Sequence, residues 1–99
     1  MISVAKTSEV PNFGKKAVSV SGREILLINL KGTFFAVEND CPHQGSPMNA
    51  GVVKDDYISC PRHGYRYKLR DGRCVEHPDY QLQVFPVQVV GDDIMIELE

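Results

Sequence analysis

Along most of this chain apolar and polar residues alternate with a period of two, as in "KAVSV" at 16–20 and "IMIEL" at 94–98, and nowhere is an i, i+3, i+4, i+7 stripe sustained. That period belongs to strands. Turn signals recur at short intervals, at Ser21-Gly22, Lys31-Gly32, Asp55-Asp56, Asp71-Gly72 and Gly91-Asp92-Asp93. Between them lie "EILLINL" (24–30), "TFFAVEN" (33–39), "YISC" (57–60), "YRYKL" (65–69) and "LQVFPVQVV" (82–90). Pro86 removes a backbone donor from the last of these, which places that point at a sheet edge or bulge. The pattern predicts an all-β fold, a small antiparallel sandwich or barrel, as a single domain over 1–99. Leu26, Ile28, Phe35, Val37, Val84, Val87 and Ile94 are its expected core.

A chain of 99 residues is near the size at which burial alone is only marginally sufficient, so anything that cross-links its loops matters. Eight Gly and six Pro fit many turns rather than disorder. A formal charge of -2 argues against general nucleic-acid binding, which uses a broad basic face. No stretch approaches the roughly 20 apolar residues of a membrane span, and "MISVAKTSEV" lacks the layout of a signal peptide, so a cytoplasmic location is expected. Three cysteines, Cys41, Cys60 and Cys74, cannot all pair within one chain, and a reducing cytosol disfavours disulfides; metal binding becomes the leading use for two of them.

The candidate ligands sit in a near-repeat. "CPHQG" at 41–45 supplies Cys41 and His43; "CPRHG" at 60–64 supplies Cys60 and His63, with sixteen residues between His43 and Cys60. Zinc fits these donors better than it fits their spacing, since C-x-H and C-x-x-H are not the usual knuckles. Two loops each giving one Cys and one His also suit a 2Fe-2S cluster with both sulfurs on one iron and both imidazoles on the other. A rival pair, Cys74 and His77, is also C-x-x-H but lies past the Asp71-Gly72 turn, without a following glycine.

With these residues in view, the sequence resembles the Rieske ferredoxins over most of its length. "CPHQGSPMNAG" is similar to their first cluster loop, including Met48 and Gly51; "CPRHGYRYKLRDGRC" is similar to their second, and "VFPVQVVGDDIMIEL" to their last hairpin. The resemblance implies two cluster-binding hairpin loops holding one Rieske-type 2Fe-2S cluster through Cys41, His43, Cys60 and His63. Gly45 and Gly64 either let backbone N–H groups approach the sulfides or are ordinary turn glycines, and Pro42 and Pro61 either stiffen the loops or are simple turn prolines. Two ferric ions, two sulfides and two thiolates sum to zero charge, whereas four thiolates give a doubly negative core. Imidazole ligation therefore raises the potential, to roughly -150 to +300 mV against about -400 mV for all-Cys plant-type centres.

Departures from the high-potential members point to the bottom of that range. Ser46 and Arg62 stand where those members carry a loop-tying disulfide. Tyr65 stands where they carry a serine that donates to a sulfide. Tyr67 keeps their tyrosine, which either points its hydroxyl at Cys60 or only fills the core. The second imidazole nitrogens of His43 and His63 are expected to face solvent, as electron exits and proton sites.

By resemblance the chain is no enzyme itself. It is the electron-transfer component of a multicomponent oxidoreductase, a monomer passing single electrons from a flavin-dependent ferredoxin reductase to a terminal non-haem iron oxygenase of the ring-hydroxylating type. The alternatives are the small subunit of an assimilatory nitrite reductase and a zinc-stabilised interaction module. Arg62, Arg66, Lys68, Arg70 and Arg73 gather positive charge near the second loop, either as a solvated strand face or as a docking patch for an acidic partner.

Overall fold

In the computed structural model of the chain, the residues described are 1–39, 48, 51–61 and 64–98. Among them are ten strands, a short 3-10 turn at Thr7–Glu9 and no α-helix, as the period-two pattern predicts. The strands are β1 (Ile2–Lys6), β2 (Lys15–Val20), β3 (Arg23–Leu30), β4 (Thr33–Glu38), β5 (Val52–Lys54), β6 (Tyr57–Ser59), β7 (Arg66–Lys68), β8 (Val84–Phe85), β9 (Val87–Val90) and β10 (Asp93–Ile96). They form three antiparallel sheets, ordered β1-β10-β9, β2-β3-β4-β8 and β5-β6-β7.

The middle sheet explains why "EILLINL" is apolar at both parities. Side chains alternate faces along a strand, and β3 has Ile25, Leu26, Leu27 and Ile28 all fully buried. Ile25 and Leu27 join Val10, Ala36, Phe85, Ile94 and Ile96 in one core. Leu26 and Ile28 join Val37, Met48, Ile58, Cys60, Tyr67, Leu69, Cys74 and Leu82 in another. The sheet is thus the shared wall between two cores, one backed by β1-β10-β9 and the other by β5-β6-β7. Of the expected core residues, Leu26, Ile28, Val37 and Ile94 are buried, while Phe35, Val84 and Val87 are half-buried at the margins.

Connections follow from turn chemistry. Val20 pairs with Arg23 and Leu30 with Thr33, leaving the two-residue turns Ser21-Gly22 and Lys31-Gly32. Ser21 and Lys31 take φ of 51° and 53°, the left-handed conformation that such tight hairpin turns demand. "LQVFPVQVV" is not one strand. Its first part, β8, pairs with β4, Pro86 interrupts the ladder, and β9 pairs with β10 in a different sheet. A residue without an N–H sits where the chain changes sheets, which refines the edge-or-bulge expectation. Asp93, expected in a turn, instead begins β10, and its carboxylate pairs with Lys6 Nζ at 2.6 Å across the β1–β10 ladder.

Candidate metal centre

Both candidate loops spring from the same end of the β5-β6-β7 sheet. Val52, which opens β5 after the first loop, pairs with Ser59, which closes β6 before the second loop; Ser59 also pairs with Arg66, where the second loop returns as β7. The register therefore brings the ends of two loops distant in sequence onto neighbouring rungs.

The first loop is pinned at its base. Met48 N–H donates to the Asn39 carbonyl at 2.8 Å, and Gly51 N–H to the Met48 carbonyl at 2.9 Å. Met48 is fully buried, as its place in the pattern implies. Gly51 is required by contact: a Cβ there would lie 2.0 Å from the Ser59 carbonyl oxygen. The ammonium of Lys15, on β2, donates to the Gly51 carbonyl and ties this corner to the middle sheet.

Cys60 follows β6 directly and is buried in the second core beside Tyr67 and Cys74. Its N–H donates to the Tyr65 carbonyl at 2.7 Å, and its carbonyl accepts the Gly64 N–H at 2.9 Å. Gly64 turns the chain at φ 72°, which other L-residues rarely adopt. Its own N–H is committed to the Cys60 carbonyl, so any backbone donor that its missing Cβ admits toward a cluster would be a neighbouring amide.

Cys41, Pro42, His43, Gly45, Ser46, Arg62 and His63 lie outside the described residues. A cluster fits what is described: a buried thiol at a hairpin end, a turn closed by two backbone bonds, and a first loop anchored one rung away. Two thiols and two imidazoles on such a pair of loops form the donor set of a Rieske centre.

Tyr67 is fully buried in β7 and shares the core with Cys60. Arg66, Lys68 and Arg70 alternate outward with Tyr67 and Leu69 inward, giving the outer face expected from the sequence. The charge is less concentrated at the loop than the sequence implies. Lys68 lies roughly 7 Å along the strand from Arg66, away from the loop end. Arg66 itself is paired: its Nε donates to Glu76 Oε2 at 2.7 Å and its N–H to Glu76 Oε1 at 2.8 Å. The backbone N–H and guanidinium of Arg66 hold the Glu76 carboxyl below its ordinary range, and the hydrogen bond to Glu76 raises Arg66 in turn.

Cys74 and His77, the rival pair, lie in unlike surroundings. Cys74 is buried, whereas His77 is exposed and lies among aromatic rings. Sequence reasoning passed over Glu76 and Tyr80, which hold this segment. The only signal was their place directly behind the second loop.

Comparison with known proteins agrees with this geometry. Residues 1–86 match the family described as the Rieske [2Fe-2S] domain. The ferredoxin component of the naphthalene 1,2-dioxygenase system of Pseudomonas aeruginosa is 32% identical over 91 residues, 91% of this chain and 88% of that protein. The fold is similar to the ferredoxin of carbazole 1,9a-dioxygenase from Nocardioides aromaticivorans IC177, with a TM-score of 0.92 at 23% identity, covering 99% of this chain and 97% of that one. A ferredoxin chain in a complex of reduced oxygenase and oxidised ferredoxin of carbazole 1,9a-dioxygenase gives 0.87 at 23% identity, covering 97% and 100%. A structure assigned as an NADH-dependent nitrite reductase small subunit from Mycobacterium tuberculosis gives 0.88 at 23% identity, covering 96% and 91%.

The chain belongs to the Rieske 2Fe-2S family. It carries one 2Fe-2S cluster and is a ferredoxin-type electron carrier rather than a catalyst. The family match replaces the zinc reading. Among the described residues no helix is long and apolar enough to cross a membrane.

Proposed function

We propose that this protein, as a cytoplasmic monomer forming one domain over 1–99, carries single electrons from a flavin-dependent reductase to a terminal non-haem iron oxygenase of the aromatic ring-hydroxylating type. Cys41 and Cys60 ligate one iron and His43 and His63 the other. The observation that carries the reading is the 32% identity to a dioxygenase ferredoxin component across nearly the whole of both chains. The nitrite reductase small subunit shares the fold at 23% identity, which supports the fold alone.

Such a carrier needs a cluster near its surface held in one geometry while the charge changes. Without the serine donor, replaced here by Tyr65, the midpoint belongs near the bottom of the roughly -150 to +300 mV range. The test pairs purified holo-protein with the reductase and terminal enzyme encoded beside it. Hydroxylated aromatic product formed only when this chain is present supports the reading. Electron delivery to a sirohaem nitrite reductase, with none to an oxygenase, overturns it.

A further inference from the structure

Directly behind the second loop, the segment from Cys74 to Tyr80 folds back on residues 65–67. Val75 N–H donates to the Arg66 carbonyl at 2.8 Å, and Tyr67 and Cys74 form an isolated antiparallel bridge. Glu76 grips Arg66 at two points, its backbone N–H and its guanidinium. The segment closes on itself through Tyr80 N–H to the His77 carbonyl at 2.9 Å and Cys74 N–H to the Tyr80 carbonyl at 3.1 Å.

From this frame two rings reach Tyr65. The centroid distances are 4.6 Å for Tyr65–His77, 6.2 Å for Tyr65–Tyr80 and 5.6 Å for His77–Tyr80, with interplanar angles of 50°, 22° and 52°. These are favourable aromatic separations, and each such pair adds to what area burial alone provides. Tyr65 is the residue whose carbonyl accepts the Cys60 N–H at 2.7 Å. A continuous set of contacts thus runs from an exposed histidine to the backbone of a buried cysteine.

We propose that the Cys74–Tyr80 segment is a clasp on the second cluster loop, with His77 and Tyr80 as positioning residues that hold Tyr65 and, through its carbonyl, the Cys60 amide. This rests on Cys60 being a cluster ligand. It also gives His77 a use other than metal ligation: its ring is a packing element at the surface. The clasp keeps the loop in one shape in both oxidation states, a requirement that the three-residue strand β7 is too short to meet alone.

The test uses His77→Ala, Tyr80→Ala and the aromatic replacement His77→Phe in the full chain. Three readouts apply: the paramagnetic spectrum and midpoint of the reduced holo-protein, the rate of cluster loss, and amide hydrogen exchange at Cys60 and Arg66 with and without the cluster. His77→Ala and Tyr80→Ala are expected to broaden the spectrum and displace the midpoint. Both should speed cluster loss and exchange about fivefold, equivalent to about 1 kcal/mol, and His77→Phe should restore wild-type behaviour. Alanine variants identical to wild type in spectrum, cluster loss and exchange would overturn the clasp, as would His77→Phe being as impaired as His77→Ala. His77 is exposed, so its alanine variant decides the matter even if Tyr80→Ala does not fold. A wild-type protein without any cluster signal would strike the ligand assignment instead, and exchange in the metal-free chain would still read the clasp.

Discussion

The two faces of the β2-β3-β4-β8 sheet are covered by halves of unlike construction. On one side, β1, β9 and β10 run four to five residues each, and the core between is wholly hydrocarbon: Val10, Ile25, Leu27, Ala36, Phe85, Ile94 and Ile96. On the other, β5, β6 and β7 have three residues each, and the core includes Met48, Cys60, Tyr67 and Cys74. The first half is built by repetition, with many equivalent contacts. The second depends on single anchors such as Gly51 against Ser59 and the Cys60–Tyr65 backbone bond. Redundant packing makes a rigid base, and the described ends of the proposed cluster loops are fastened to it at a few points. Local stability within a fold is commonly divided in this way.

The sharpest way to separate the halves is Cys60→Ser. It should abolish the cluster, and with it the visible absorption, while far-ultraviolet dichroism still reports strands from the hydrocarbon half. Retained colour would remove Cys60 from the ligand set. Next in size is Leu27→Ala, which opens a cavity in the hydrocarbon core and should cost about 2–5 kcal/mol in thermal or denaturant unfolding. Its reduced spectrum should be that of wild type, because Leu27 faces away from the cluster half.

Gly51→Ala should invert that outcome. Its added Cβ meets the Ser59 carbonyl, a clash worth about 1–3 kcal/mol, and the damage should appear first as faster cluster loss. Equal effects of Leu27→Ala and Gly51→Ala on cluster retention would erase the distinction between the halves.

The smallest effect concerns acid. Glu9 is held below its ordinary range mainly by the Lys6 backbone N–H, and Glu76 mainly by that of Arg66. A carboxyl depressed on folding contributes stability that is fully present above its unfolded value, about 4.3. That contribution is lost as pH falls through the lower folded value. Stability should thus be flat in these groups through neutral pH and decline below about 4.3, with the decline reduced in Glu76→Gln. A Glu76→Gln curve parallel to wild type in acid would contradict the role given to that carboxylate.

Much of the base is written plainly in the sequence. "EILLINL" carries apolar residues at both parities, the mark of a strand buried on both faces, and Ser21-Gly22 and Lys31-Gly32 set its two hairpins. Two strands are not marked out in the same way. β5 is only three residues, too short for a period to register, and β1 alternates but leaves Val4 and Ala5 half-buried.

For the site, the Cys and His spacing is legible because chemistry fixes residue type. What holds the loops is not. Lys15 reaches Gly51 across 36 positions, and Glu76 and Tyr80 act on Arg66 and on the ring of Tyr65, partners that their places in the sequence do not reveal. Spacing identifies donors, whereas the fastening appears only once the register of β5, β6 and β7 is known.

The central claim is mixed nitrogen and sulfur ligation of two irons by this chain, and pulsed electron paramagnetic resonance of the dithionite-reduced protein tests it most directly. Two inequivalent imidazole nitrogen couplings are expected, with one reduced to background in His43→Cys or His63→Cys. A signal without nitrogen coupling would contradict the account.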